Sequence, residues 1–393
     1  MNFASSSNNA KSMLLRNKQV AVIGAGPVGL TMAKILQQNG IDVTVYERDK
    51  DAFTRISGGP LDLHKGSGQK AMHKAGLLER YYEMGIPMGR TVADENGKVL
   101  LARKPTFEER HDNPEINRND LRKILVESLK SSTIAWERKF TGLEEQNGRW
   151  LLQFENNLTA TADLVIGANG GMSQARKYVT DAEIEYTGTL ILQGEVLEPE
   201  TTCPDFYQLS DDNILMTASG GNLLVANPRN GGLLSYSITI KKPEDWDQEY
   251  KVNFQNTENI LTFLLNRFSD WDERYLQLFR STSSFVIWPT RQIPLDVPWK
   301  LNRPLPITLI GDAAHIMPPF AGQGVNTGLM DALILSDSLT DGKFETIEAA
   351  IDDYEQQMFV YAKKAQLETS ENEAKMFHSD FSFTTRFTNE DIY

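Results

Sequence analysis

Residues 18–49 combine apolar runs with a helical repeat, and this pattern predicts a strand, a helix and a second strand. The first apolar run ends at Ile23, and Asn39-Gly40 closes the helix. The helical face consists of Leu30, Ala33, Ile35 and Leu36, and the second strand alternates Ile41, Val43 and Val45. Such a unit predicts a parallel sheet with helices on both faces.

Two later segments, 162–170 and 305–315, are short continuous apolar runs, which are typical of strands buried on both faces. We expect both in the parallel sheet. Residues 185–302 instead contain short alternating runs separated by Gly, Asn and Pro, and this pattern predicts an antiparallel sheet. The predicted fold class is therefore α/β, with a second domain inserted into the first.

Residues 345–377 predict one long helix, because apolar positions recur at helical spacing and the segment contains neither Gly nor Pro. Its balance of polar residues places the helix on the surface. There we expect it to bridge the two domains rather than to form a core.

Composition narrows the classes of function. The 393 residues predict two domains, and the net charge of −13 argues against nucleic acid or an anionic membrane as partner. No apolar run approaches ~18 residues, so no membrane-spanning helix is expected. The single cysteine, Cys203, fits a reducing cytoplasm. Residues 1–17 lack the apolar core of a signal peptide and are expected to form a flexible tail.

The sequence "GAGPVG", residues 24–29, carries the first chemical signal. Gly24 permits a tight turn, Gly26 lets the backbone approach a pyrophosphate, and Gly29 lets helix and strand pack closely. The pyrophosphate would lie at the N-terminus of the helix. Glu47, 18 positions beyond Gly29, can accept hydrogen bonds from an adenosine ribose. The motif predicts an adenine dinucleotide site and leaves FAD and NAD(P) both open.

The second signal is "GDAAHIMPPFAGQGVN", residues 311–326. It lacks the Lys of a phosphate-binding loop, and Asp312 with His315 offers too few ligands for a metal. No Gly-x-Ser-x-Gly nucleophile turn occurs in the chain. Asp312 can instead bind a polyol such as a ribityl chain, and Pro318-Pro319 forces a corner. The N–H groups of 322–326, at a helix start, favour an anionic ring.

Three segments, "GAGPVG…YER", "ANGGMSQARK" and "GDAAHIMPPFAGQGVNTGLMDA", resemble the signatures of group A flavoprotein monooxygenases, the para-hydroxybenzoate hydroxylase-like class. The resemblance implies a Rossmann-like FAD-binding domain, FAD and NADPH as cofactors, and no catalytic side chain, because the flavin performs the chemistry. Asn169-Gly170 stands where these enzymes usually have Asp-Gly, and this departure affects the contact with NADPH that the resemblance implies. The candidate FAD contacts are Gly24, Gly26, Pro27, Val28, Gly29, Glu47, Arg48, Asp62, Arg118, Leu121, Asp312, Pro319, Gly322, Gln323, Gly324, Val325 and Asn326.

Further segments, among them "LDLHKGSGQKAM" and "DNPEINRNDLRKIL", resemble tetracycline-inactivating flavin monooxygenases of the TetX type. The resemblance implies hydroxylation of a tetracycline-like molecule with O₂. The candidate substrate contacts are Gln193, Asn227, Ser235, Pro319, Phe320, Gly322 and Met376. Ser235, Ile214 and Val225 stand where a histidine, an arginine and an aromatic residue are expected. These departures favour a different fused-ring or phenolic substrate, and a flavoprotein that only binds a hydrophobic ligand is a third possibility.

The full prediction is a cytoplasmic monomer that binds NADPH, O₂ and a small-molecule substrate, with no metal. The predicted domain division is a flexible tail (1–17), the FAD-binding domain in three parts (18–76, 104–184 and 303–340), a substrate-domain segment (77–103), the substrate-binding domain (185–302) and a C-terminal bridging helix (341–393).

Overall fold

The structure, a computed structural model, describes residues 14–54, 56, 58–241, 256–378 and 381–383. The predicted flexible tail lies outside the described residues as far as residue 13, and so does the end of the 341–393 segment from residue 384. Residues 14–17 form a turn in which Leu15 is buried, so this part of the tail packs on the core.

The predicted parallel sheet is confirmed, with strands in the order β17-β11-β1-β2-β7 and every neighbouring pair parallel. Its strands are β1 (Gln19–Ile23), β2 (Asp42–Tyr46), β7 (Ile134–Ala135), β11 (Leu164–Gly167) and β17 (Ile307–Leu309). Residues 305–315 were expected to be one strand, but Asp312–His315 forms a helical turn. Gly311 makes this break possible with its φ of 64°.

A second, mostly antiparallel sheet has the strand order β16-β12-β15-β14-β13-β4-β5. Its strands are β4 (Arg90–Ala93), β5 (Val99–Arg103), β12 (Glu185–Leu197), β13 (Ile214–Ser219), β14 (Asn222–Asn230), β15 (Leu233–Lys241) and β16 (Ser284–Gln292). The predicted antiparallel sheet is confirmed, because all strand pairs described within residues 185–302 are antiparallel. β4, from outside that range, joins the sheet through a parallel pairing with β13. No hairpin joins these two strands, so their relative direction is not constrained by a turn.

Two small sheets complete the strands of the described chain. A meander contains β8 (Phe140–Gln146), β9 (Arg149–Phe154) and β10 (Thr159–Ala162), and β3 (Leu61–Asp62) pairs with β6 (Glu115–Ile116).

The helices are α1 (Pro27–Gln38), α2 (Gly68–Lys74), α3 (Leu78–Met84), α4 (Arg118–Glu127), α5 (Pro199–Thr202), α6 (Pro204–Ser210), α7 (Thr257–Arg267), α8 (Glu273–Arg280), α9 (Asp312–His315), α10 (Gly324–Thr340) and α11 (Ile347–Met376). Helices α6, α7 and α8 bury one face of the second sheet around Phe206, Leu264 and Phe279. No helix in the described part of the chain is long and apolar enough to cross a membrane.

Helix α11 matches the long helix predicted for residues 345–377. Its carboxylate Glu373 accepts a hydrogen bond from Thr189 of β12 at 2.8 Å, so the helix does reach the second sheet. However, the expectation that it forms no core is wrong. Ile351, Tyr354 and Met358 are buried in the main core because their spacing places them on one helical face.

Candidate active site

A cavity of about 870 Å³ opens at the carboxyl ends of β1, β11 and β17. This edge is where ligands of parallel α/β sheets bind. Val225, on β14, also lines the cavity, so the second sheet supplies part of its wall. The predicted cofactor contacts that line it are Gly24, Gly26, Pro27, Val28, Glu47, Arg48, Asp62, Arg118, Asp312, Pro319, Gly322, Gly324 and Val325.

The glycine turn between β1 and α1 forms one end of the cavity. Gly24 has a φ of 108°, and a Cβ there would lie 2.6 Å from the carbonyl oxygen of Ala168. A Cβ on Gly29 would collide with the carbonyl oxygen of Gly24. In contrast, a Cβ on Gly26 would meet no protein atom within 4 Å. The first two glycines therefore shape the turn, and Gly26 keeps space open in front of the helix N-terminus.

Glu47 lies where the sequence predicts a ribose acceptor, and its carboxylate also holds the turn. Its Oε2 accepts a hydrogen bond from the N–H of Ala25 at 2.6 Å, and its Oε1 accepts one from Asp49 at 3.0 Å. Only 8% of Glu47 is exposed. Each carboxylate oxygen has further acceptor capacity, so these bonds are compatible with a ligand hydroxyl.

The segment around Asp312 forms a neighbouring part of the cavity wall. Asp312 is exposed to the cavity, while Arg176 lies buried behind it. The Arg176 guanidinium donates to the carbonyl oxygens of Ala313 at 2.9 Å, Gly171 at 2.6 Å and Asp312 at 3.1 Å. Burial lowers the pKa of Arg176 to about 10, so it remains a cation at neutral pH. The buried guanidinium of Arg176, in the middle motif, is thus hydrogen-bonded to the main chain of the third motif.

Arg118 begins α4 and lines the cavity from the side of Gly58-Gly59. Its Nε donates to the carbonyl oxygen of Gly59 at 2.8 Å, and a Cβ on Gly58 would lie 2.6 Å from that nitrogen. Burial lowers the pKa of the Arg118 guanidinium from its ordinary value. The two glycines therefore provide room for a half-buried cation, which is a suitable partner for an anionic ligand.

Titratable groups cluster beside Arg118 at the β3–β6 pair. Asp62 Oδ2 lies 3.1 Å from His64 Nε2 and 3.1 Å from Asn113 Nδ2. Burial raises the pKa of Asp62, but the bonds from His64 and Asn113 outweigh it and the net pKa falls. The bond to Asp62 raises the pKa of His64. Across the strand pair, burial and the charge of Asp62 raise the pKa of Glu115 to about 8.

Four predicted cofactor residues are not part of the cavity lining: Gly29, Leu121, Gln323 and Asn326. Asn326 is fully buried, and its Oδ1 accepts bonds from the N–H groups of His64 at 2.8 Å and Gly68 at 3.3 Å. Its Nδ2 donates to the carbonyl oxygen of Asp62 at 2.9 Å. The side chain of Asn326 therefore fastens the β3–α2 segment to α10.

The predicted substrate contacts fall into two groups. Gln193, Asn227 and Ser235 are buried on one face of the second sheet, opposite the face covered by helices. That face meets the first domain, because Ser235 Oγ would lie 4.0 Å from a Cβ on Gly59. Phe320 packs against Phe377 in an apolar cluster with Met376 at its border. Pro319 and Gly322 line the cavity itself.

Several cavity-lining side chains were not predicted: Tyr46, Asp49, Arg122, Arg138, Lys139, Met172, Gln174 and Met317. The position of Arg122 could have been predicted from the sequence, because it follows Arg118 by one helical turn and therefore shares its face of the helix. Arg122 forms a 2.8 Å ion pair with Asp49. Four of the others lie inside the quoted motifs but were not singled out within them: Tyr46, Met172, Gln174 and Met317. Asp49, Arg138 and Lys139 lie outside the motifs, so sequence spacing could not bring them together.

The donor set fits FAD. Two helix N-termini, at Gly26–Val28 and Gly324–Val325, face one cavity and provide main-chain N–H groups for anionic atoms. Arg118 adds a cation, and Gly26 leaves open space for a pyrophosphate. No cluster of three or more metal-ligating side chains is found among the described residues.

A Rossmann-like domain joined to an antiparallel sheet domain, with the cavity between them, defines the class of FAD-dependent monooxygenases. The chain belongs to the FAD binding domain family of flavoprotein monooxygenases, whose model matches residues 17–367. FAD is the cofactor of this family.

The similar proteins differ in substrate. The chain is 26% identical over 412 residues to Monooxygenase penA of Penicillium thymicola, covering 88% of this chain and 92% of the relative. It is 26% identical over 387 residues to 6-hydroxynicotinate 3-monooxygenase of Pseudomonas fluorescens, with 91% of each covered. The crystal structure of tetracycline destructase Tet(55) matches with a TM-score of 0.75 at 20% identity, covering 96% of this chain and 95% of that one. At this identity the structural match concerns the fold.

Proposed function

We propose that the protein uses FAD, NADPH and O₂ to hydroxylate an enol or phenol carbon of a fused-ring molecule, with tetracyclines as the first substrates to test. The observation that carries this proposal is the position of the cavity. It is enclosed by the glycine turn and the Asp312 segment on one side and reaches Val225 of the second sheet on the other. A cofactor held by the first domain would therefore face a substrate held by the second.

When bound, FAD accepts a hydride from NADPH and activates O₂ for transfer to the substrate. The residues of the chain bind and orient the cofactor and the substrate, and they shield both from water. Asp312 can accept hydrogen bonds from the ribityl hydroxyls, and the N–H groups at the start of α10 can stabilise negative charge on the flavin ring. Pro319, which lines the cavity, and Phe320, which is buried next to it, would restrict access of water to the reacting atoms.

The substrate face of the second sheet is neutral and polar at Gln193, Asn227 and Ser235, and apolar at Leu223 and Val225. Such a surface suits a flat ring system with several hydroxyl, carbonyl or amide groups. The fold shared with tetracycline destructase Tet(55) supports a tetracycline.

A second candidate is a hydroxylase for a different phenolic or heteroaromatic compound. Ser235, Ile214 and Val225 lack the basic and aromatic side chains of the tetracycline-type pattern, and this favours a different substrate. The relative named 6-hydroxynicotinate 3-monooxygenase supports a heteroaromatic substrate.

The test is to follow NADPH oxidation by the FAD-loaded protein with a tetracycline or 6-hydroxynicotinate, and to weigh the products. A gain of one oxygen by the tetracycline supports the proposal. An oxygenated product from 6-hydroxynicotinate alone supports the alternative; if oxygen enters at C3, which carries the carboxylate, the product also loses CO₂. NADPH consumption with release of peroxide and no oxygenated product from either compound would contradict both assignments.

Gln193→Leu tests the substrate side separately, because it retains size and removes the amide. We expect a higher KM for the accepted substrate and an unchanged affinity for FAD, since Gln193 does not line the cofactor cavity. Thr217→Val, an isosteric change on the helix-covered face of the same sheet, serves as a control for changes in the sheet.

A further inference from the structure

A buried polar network lies directly behind the turn that presents Asp312. Asp331, on α10, and His315, on α9, are both fully buried. Asp331 Oδ2 accepts hydrogen bonds from the N–H of Gly311 at 2.6 Å and from His315 Nε2 at 2.7 Å. Asp331 Oδ1 accepts one from the hydroxyl of Tyr361, on α11, at 2.5 Å. The carboxylate of Asp331 therefore links the helices α9, α10 and α11 to Gly311 in the cavity wall.

The geometry of the turn explains why it needs such support. Gly311 adopts a φ of 64° and a ψ of −148°, and a Cβ there would press on Val28 at 3.3 Å. The helical turn that follows has only four residues, which is too short to hold its own direction. The N–H of Gly311 has no sheet partner at this point, so Asp331 satisfies it.

Gly311 lines the cavity, whereas Asp331, His315 and Tyr361 do not. These three side chains therefore touch neither a cofactor nor a substrate held in the cavity. A buried carboxylate is costly unless it is fully hydrogen-bonded, so its three donors act as one unit. Removal of one donor would let the carboxylate, and with it the Gly311 main chain, move.

We propose that Asp331, His315 and Tyr361 are positioning residues of the FAD site, which fix the Gly311–Asp312 turn and tie it to the long helix α11. Asp312 then faces the ribityl position only when Asp331 holds the N–H of Gly311. Tyr361 extends this support to α11, the helix whose far end carries Met376 beside the substrate side.

The test uses Tyr361→Phe with Tyr275→Phe as a matched control. Tyr275 is a fully buried tyrosine whose hydroxyl donates to the carbonyl oxygen of Asp94 at 2.7 Å, in the core of the second sheet. Both changes remove one buried hydroxyl. Apoprotein of each variant is titrated with FAD by flavin fluorescence quenching, and its thermal unfolding is measured without FAD.

We expect Tyr361→Phe to weaken FAD binding on the order of 10-fold, the scale seen when groups that orient a ligand shell are removed. Tyr275→Phe should lower the unfolding midpoint and leave FAD affinity unchanged. Equal FAD affinity of Tyr361→Phe and the wild type, or an equal loss in both variants, would overturn the proposal and leave a purely structural network.

A second pair of variants tests the same point at His315. The Nε2 of glutamine reaches the place of the imidazole Nε2, so His315→Gln retains a donor to Asp331, whereas His315→Leu removes it. FAD affinity should be retained in the glutamine variant and lost in the leucine variant. Retention in both would refute a positioning role for His315.

Discussion

Gly26→Ala separates cofactor binding from folding more clearly than any other change in the glycine turn. Gly26 has a φ of −78°, which alanine adopts without strain, and the added Cβ meets no protein atom within 4 Å. The apoprotein should therefore keep its stability or gain about 0.4–1 kcal/mol, because alanine restricts the unfolded chain. Only a ligand that occupies the open space would meet the new methyl group.

The expected cost for the ligand follows from forcing one methyl group into a packed contact, which is about 1–3 kcal/mol. This corresponds to a loss of FAD affinity of roughly 5- to 150-fold, at 1.4 kcal/mol per factor of ten. The assay is titration of apoprotein with FAD, together with urea unfolding without FAD. Gly66→Ala, in an exposed turn where a Cβ also meets no atom, is the control. Wild-type FAD affinity in Gly26→Ala would refute the placement of the pyrophosphate.

Three further predictions concern stability and pH. Gly29→Ala places a Cβ against the carbonyl oxygen of Gly24. The free energy of unfolding should therefore fall by about 1–3 kcal/mol, and the affinity for FAD should fall as well. An apoprotein as stable as the wild type in urea would contradict this. Asn326→Leu leaves the N–H groups of His64 and Gly68 unpaired and should cost about 1–3 kcal/mol in urea unfolding, even without FAD. Burial and the charge of Asp62 raise the pKa of Glu115 to about 8, although the charges of Arg90 and Arg118 act to lower it. Above the ordinary pKa of 4.5, the folded protein therefore binds more protons than the unfolded chain. Stability should fall as pH rises through this window, by at most about 1.4 kcal/mol per pH unit, and Glu115→Gln should flatten the fall; parallel curves for variant and wild type would contradict the assignment.

The sequence predicted those parts of the fold that local patterns determine. The unit β1–α1–β2 has a glycine turn, a helical face and alternating strand positions within about 30 residues, and all three elements form as expected. The parallel contact of β4 with β13 could not be foreseen, because the paired residues Arg90 and Ile214 are 124 positions apart. Helices α6–α8 were missed because the surrounding alternating runs dominated the interpretation of residues 185–302.

The candidate site shows the same division between local and distant information. Gly24, Gly26 and Asp312 belong to motifs in which the residue types follow from the main-chain path, and all three line the cavity. Arg138 and Lys139 also line it, but they belong to no motif in the sequence. Their neighbours in space are fixed by packing of segments that are far apart along the chain.

Asn326 shows why a motif residue need not contact the ligand that the motif binds. A polar residue two positions into a helix that faces a cofactor was a reasonable candidate for a contact, yet its amide is occupied by His64, Gly68 and Asp62. Asp331, five residues later, likewise uses its carboxylate on Gly311, His315 and Tyr361. Both side chains hold the main chain that lines the cavity, one on the Asp62 side and one on the Asp312 side. Helix α10 therefore contributes to the site in two ways: its first N–H groups face the cavity, and its buried polar side chains fix the two acidic segments opposite each other.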